Sequence, residues 1–169
     1  MSPAAPDGRE FQVSSAVLTA QFRDRSDMAE RDDYLDVLSR FACATRLDDI
    51  PVPVRERCRV IIADMLAVIA AGMQESEMRA LAANHVPRVA SGNAAVFGSG
   101  KRCNPLDAAL LHATAGVWLE LDEGNFNTNG HPGVHVIPAG FAHAQEHGLS
   151  GADFLTAVAL GYEICGRIG

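Results

Sequence analysis

Lysine is almost absent from this chain. Lys101 is the only one, and the 14 basic residues are outnumbered by 21 acidic ones, for a formal net charge of -7. That balance excludes nucleic acid as a partner, because binding a phosphate backbone needs a basic face. Aromatic residues are scarce too, at 6%, which disfavours a β-sandwich core built from aromatic and β-branched side chains. The cysteines, Cys43, Cys58, Cys103 and Cys165, are scattered, with no CxxC pair and no Cys/His cluster. That spacing argues against a structural zinc site and fits a reducing, cytoplasmic setting. No apolar run is long enough to cross a bilayer, so no membrane association is expected. The opening residues, MSPAAPDGREFQ, have neither the apolar segment of a secretory signal nor the Arg-rich, acid-poor character of a transit peptide.

What is present is alanine-rich apolar sequence. Hydrophobic residues make up 48% of 169 positions, enough for one domain with a real core. Residues 1–32 are polar and of mixed charge, and read as a flexible leader; the helical domain is expected over 33–169. From Tyr34, apolar residues recur at helical spacing through Leu35, Leu38, Phe41 and Ala42. After a turn at Asp48–Pro53, the segment from Pro53 to Gly72 carries Val54, Cys58, Ile61, Ile62, Met65 and Ile69 on one face. Its second half, IIADMLAVIAA, is apolar nearly all round and is expected to be buried, so Asp64 within it would need a hydrogen-bond partner. A short helix is expected from Glu77 to His85, and a short strand or extended arm over AAVFGSG. Asn104-Pro105-Leu106-Asp107 is a strong helix start, with a cap, a first-turn proline and an acid near the positive end of the dipole. That helix should run to Leu119. The next should begin near Val136–Pro138 and end at Gly148, and the last should begin at Ser150 with a capping box closed by Asp153. The architecture these patterns predict is an all-α multi-helix bundle.

Between two of these helices lies WLELDEGNFNTNGHPGVHVIPAG, Trp118 to Gly140. Glu120 and Asp122 are two apart, so an extended backbone would turn both carboxylates the same way. Crowded carboxylates push one another's proton affinity up, which suits a general acid or base. Gly124, Gly130 and Gly133 allow close backbone approach to a ligand, and the following helix can offer amides to an anion. His131 can move a proton near neutral pH. The plainer alternative is a solvated loop between packed helices, and the residues alone leave both open. A metal pair at His131 and His135 is disfavoured, because Pro132-Gly133 opposes the helix that such spacing needs. His143 and His147 share a helical face but have no evident third ligand, so no metal is expected.

Three stretches carry a resemblance to a known family. VRERCRVIIADMLAVIAAGM resembles the opening helix of the MmgE/PrpD, or 2-methylcitrate dehydratase, family. AAVFGSGKRCNPLDAALLHATAGVWLELDEG resembles its approach to an acidic loop, and GHPGVHVIPAGFAHAQEHGLSGADFLTAVALGYEICGRIG its His-Pro loop and following helices. The resemblance covers Tyr34 to Gly169 and implies the first part of a large helical domain, with the remainder and a smaller α/β domain absent. It implies a lyase or isomerase acting on a small polycarboxylate by proton abstraction next to a carboxylate, without a cofactor. Dehydration is the first expectation, with epimerisation or decarboxylation within the family. It places His131, Asp122 and Glu120 in catalysis and Glu123, Gly130 and Gly133 in substrate binding. Gly124 stands where the family commonly has threonine, and the acid-to-histidine spacing is one residue longer, which argues against decarboxylation. It also implies a homodimer, or association with a missing second half, and no turnover by the chain alone. A different class of reading is a non-catalytic helical fragment, or one subunit of a split enzyme; the abrupt apolar end and the single lysine favour it.

Overall fold

The computed structural model describes residues 34–126 and 130–168. The reading of residues 1–32 as a leader lies outside them. The chain divides into two compact units, the first ending at Thr45 and the second running from Arg46. The described part of the first unit is one helix, α1, Tyr34–Ala44, with Leu38 and Phe41 buried. The Thr45 hydroxyl donates to the Phe41 carbonyl at 2.8 Å, satisfying one of the acceptors that a helix end leaves open.

The second unit carries α2 (Val52–Gly72), α3 (Ser76–His85), strands β1 (Ala94–Val96) and β2 (Lys101–Cys103), and helices α4 (Pro105–Trp118), α5 (Pro132–His147) and α6 (Gly151–Ile168). Among the described residues the fold is therefore all-α apart from one hairpin. Helix α4 packs against both α2 and α5, and α6 lies on α5 and α2. Met65, Ile69, Leu111, Ile137 and Val158, each at most 1% exposed, meet where these helices cross. Small residues let the crossings close. A β-carbon on Gly72 would run into the Ala115 carbonyl of α4, so the α2–α4 contact requires glycine there.

Caps fall where the local chemistry places them. Asn104 Oδ1 accepts from the Leu106 and Asp107 amides, both at 3.1 Å, and Pro105 takes the first turn of α4. Ser150 and Asp153 form a reciprocal box at the start of α6: Ser150 N–H donates to Asp153 Oδ2 at 3.0 Å, and Asp153 N–H to Ser150 Oγ at 3.2 Å.

The strand expected near AAVFGSG has a partner that periodicity did not reveal. Ala94, Ala95 and Val96 pair antiparallel with Cys103, Arg102 and Lys101. The hairpin's outer edge is tied to the bundle. Asn93 and Ala95 donate their amides to Glu146 and Gln145 on α5, at 2.6 and 2.9 Å, and Phe97 donates to His112 Nε2 on α4 at 3.2 Å. These acceptors satisfy edge donors that a lone hairpin would leave to water.

Two sequence expectations are corrected. The second half of α2 is not buried all round: Ala63, Asp64, Ala67, Ala70 and Ala71 are exposed. Alanine favours helix without needing burial, so an alanine-rich run overstates how much of a helix is covered. Asp64 therefore meets water rather than a buried partner. Helix α5 also begins earlier than expected, at Pro132, because proline is suited to the first helical turn; Pro138 lies inside the same helix. Among the described residues, no helix is long and apolar enough to cross a membrane.

Candidate functional site

The loop between α4 and α5 starts with a strained residue. Helix α4 ends at Trp118, and Glu120 follows with φ 54°, the one described non-glycine residue with positive φ. Its amide donates to the Val117 carbonyl at 3.1 Å, closing the helix end. Glycine would adopt this conformation freely; a residue with a β-carbon pays roughly 1–2 kcal/mol. The extended pairing of Glu120 with Asp122 is therefore not what the backbone adopts. The Glu120 residue is exposed, while the Asp122 side chain is only 6% exposed. Among the described residues, Glu120 makes no side-chain bond to Asp122 or His131.

His131 stands at the N-cap position of α5 without a side-chain capping bond, and its ring instead meets Asp122, with Nδ1 3.0 Å from Oδ2. An ionised carboxylate only accepts, so the shared proton sits on Nδ1 and Nε2 keeps its lone pair. The carboxylate is nearly covered while the ring is 54% exposed. An imidazole whose tautomer is set by a covered carboxylate thus faces outward.

Glu123, the next residue, turns elsewhere. Its Oε1 accepts from the Gly133 amide in the first turn of α5 and from the Tyr162 hydroxyl on α6. A β-carbon on Gly133 would strike the Glu123 carboxylate, so this contact requires glycine. The other oxygen, Oε2, is buried and has no partner among the described residues. Burial pushes the Glu123 carboxyl above its ordinary range. The Gly133 amide and the His131 charge oppose that shift, while the Asp122 and Asp64 charges add to it. Asp64, exposed on α2, is thus near enough to act on the loop electrostatically. Gly130 pairs with Asn125 in an isolated antiparallel bridge, Asn125 N–H donating to the Gly130 carbonyl at 2.9 Å.

The structure brings Asp122, Glu123, His131 and Gly133 together at the start of α5, sets Gly130 on the bridge leading into it, and leaves Glu120 as an exposed carboxylate at the end of α4. Tyr162 is the participant that sequence reasoning missed. A buried tyrosine on an apolar helix face signals a hidden hydrogen-bond partner, yet its partner is 39 residues away. On the outer face of α5, the His143 and His147 rings stand 4.3 Å apart. Among the described residues, no group of three or more His, Cys, Asp or Glu side chains converges as metal ligands would.

Comparison with known proteins identifies the family of the sequence. The family model for the MmgE/PrpD N-terminal domain matches residues 36–169. A cis-aconitate decarboxylase of Aspergillus terreus is 28% identical over 156 residues, 87% of this chain and 31% of that protein. Another, from A. terreus strain NIH 2624, is 31% identical over 131 residues, 72% of this chain and 26% of the relative. A cis-aconitate decarboxylase-like protein of Aspergillus oryzae is 29% identical over 130 residues, 72% of this chain and 27% of its own length. The chain thus spans less than a third of the curated relatives it matches. No solved structure matches it.

Proposed function

The chain belongs to the MmgE/PrpD family, and on that premise we propose that it supplies the proton-transferring loop of a lyase acting on a small polycarboxylate. The family's enzymes are dehydratases and decarboxylases. The observation that carries the reading is the Asp122–His131 pair, a covered carboxylate holding an exposed imidazole at 3.0 Å. In the proposed reaction, His131 Nε2 removes a proton from the carbon beside a substrate carboxylate. The C–H electron pair moves into that carboxylate as an enediolate. Asp122 stabilises the imidazolium that forms, as a carboxylate behind a histidine base does. The enediolate then re-forms the carboxylate and expels a hydroxyl from the adjacent carbon. That hydroxyl leaves as water, taking the proton that the His131 imidazolium carries, so that a double bond remains and the neutral imidazole is restored. Glu120, exposed at the end of α4 and without a bond to His131, orients the substrate rather than the base. No cofactor is invoked, and a homodimer or a further polypeptide would complete the substrate's cationic contacts.

A second reading, decarboxylation, is favoured by the names of the relatives. Gly124, at the position where threonine is common in the family, and the longer acid-to-histidine spacing argue against it. The test is a product assay on the protein in its longest available form, with methylcitrate, citrate and cis-aconitate each supplied. An unsaturated product formed with loss of water, and slowed about 10²–10⁴-fold in His131→Ala, is the expected result. Carbon dioxide release without dehydration would replace this reading by the second. Turnover unchanged in His131→Ala would remove the histidine from both.

A further inference from the structure

Two consecutive carboxylates grip the start of α5 in different ways. Asp122 holds the His131 ring, and Glu123 holds the Gly133 amide two residues later. From the opposite side, Tyr162 of α6 donates its hydroxyl to the same Glu123 oxygen. A carboxylate followed by Gly124, in a loop without regular structure, has little local restraint on its backbone. Its position is set by what anchors its neighbour. That anchor joins three segments: the loop, the first turn of α5 and the buried face of α6.

We propose that Glu123 and Tyr162 are positioning residues for His131, a pair that fixes the loop against α5 so that Asp122 meets Nδ1 and Nε2 stays free. The inference rests on the reading of His131 as the base. Stability alone is a poor explanation for the arrangement. Glu123 keeps one buried oxygen without a partner, and an unmatched buried polar atom costs stability that an apolar side chain of similar size would not. Gly133 adds a constraint of its own, since its amide can approach the carboxylate closely only without a side chain. What this costly arrangement provides is geometry. It sets the separation between two residues that must meet side chain to side chain, Asp122 and His131. Glu123 touches no substrate in this role; it acts through its neighbours.

The test reads the tautomer of His131 by long-range proton–nitrogen NMR of the imidazoles in the 169-residue chain, at a pH where the rings are neutral. His131→Gln identifies the signal, and Asp122→Asn shows the tautomer without its carboxylate. The buried His112 ring reports whether each variant is folded. In the unaltered protein, His131 is expected to be chiefly the Nδ1–H form. Tyr162→Phe removes only the hydroxyl, and Glu123→Asp withdraws the carboxylate by one methylene. Each should raise the Nε2–H population roughly threefold or more, with the His112 signal unchanged. Glu123→Gln keeps an oxygen for both donors and should largely preserve the Nδ1–H form. A folded Tyr162→Phe or Glu123→Asp chain that melts lower yet keeps the His131 tautomer would overturn the proposal and leave the pair with a structural role only. Loss of the tautomer in folded Glu123→Gln would also overturn it, because charge rather than placement would then be responsible. No turnover is read, so a failed enzyme assay leaves this result standing, and an unchanged tautomer leaves the role of His131 untouched.

Discussion

Among the groups through which acidification should weaken this fold, one buried side chain stands out, His112. It lies on α4, 1% exposed, with its Nε2 already accepting the Phe97 amide at 3.2 Å. The neutral ring therefore carries its proton on Nδ1, which is buried and has no partner among the described residues. A second proton would have to displace the Phe97 bond and leave a charge beside the Phe97 ring, whose centroid is 4.5 Å away. Burial accordingly lowers the His112 pKa from 6.5 to about 4. The folded-state value is the depressed one. The His112 contribution to stability is therefore complete above pH 6.5, and it declines as pH falls from there towards 4, where the unfolded chain binds a proton that the folded chain refuses. The gap corresponds to roughly 3 kcal/mol, or on the order of 10 °C in melting temperature for a domain of this size. The assay is urea unfolding across that window for the unaltered chain and for His112→Gln, whose amide oxygen can replace Nε2 as acceptor and does not titrate. The carboxylates contribute equally to both proteins, so the difference between the two curves isolates His112. The unaltered chain should lose about 3 kcal/mol more than the variant between the two pH limits. Parallel curves would refute the reasoning.

Other outcomes follow from single contacts. Gly133→Ala should destabilise by about 1–3 kcal/mol in thermal unfolding, because its β-carbon meets the Glu123 carboxylate. Gly72→Ala should cost at least as much, since the obstacle there is the Ala115 backbone, which cannot rotate away. Asn104→Ala removes the acceptor for two amides at the start of α4 and should cost about 0.5–2 kcal/mol by urea titration.

The parts of this fold that were legible are those written locally. Asn104-Pro105 and Ser150–Asp153 announce their helices within four residues, and both caps are present with the expected partners. The start of α5 was misplaced because Pro132 and Gly133 read as breakers in isolation, whereas a first-turn proline loses no helical bond. Strand β2 was invisible, since Lys101-Arg102-Cys103 is too short for alternation and its outward side chains are charged. The Asp122–His131 contact spans nine residues and could be suspected from types and spacing. Glu123–Tyr162 could not, because the register of α6 against α5 decides it, and that register comes from apolar packing such as Val136 against Gly161. Asp64 shows the reverse case: an alanine-rich surround suggested burial, and the helix turned it to water.

The most direct measurement of the central claim is isotope exchange. A polycarboxylate is incubated in deuterated water with the protein in its longest available form, and incorporation of deuterium at the carbon beside the carboxylate is followed by NMR, for the unaltered protein, His131→Gln and Asp122→Asn. The account predicts exchange in the unaltered protein, a loss of about 10²–10⁴-fold in His131→Gln, and a large loss in Asp122→Asn, whose amide no longer stabilises the imidazolium. Exchange that continues unchanged in His131→Gln would contradict it.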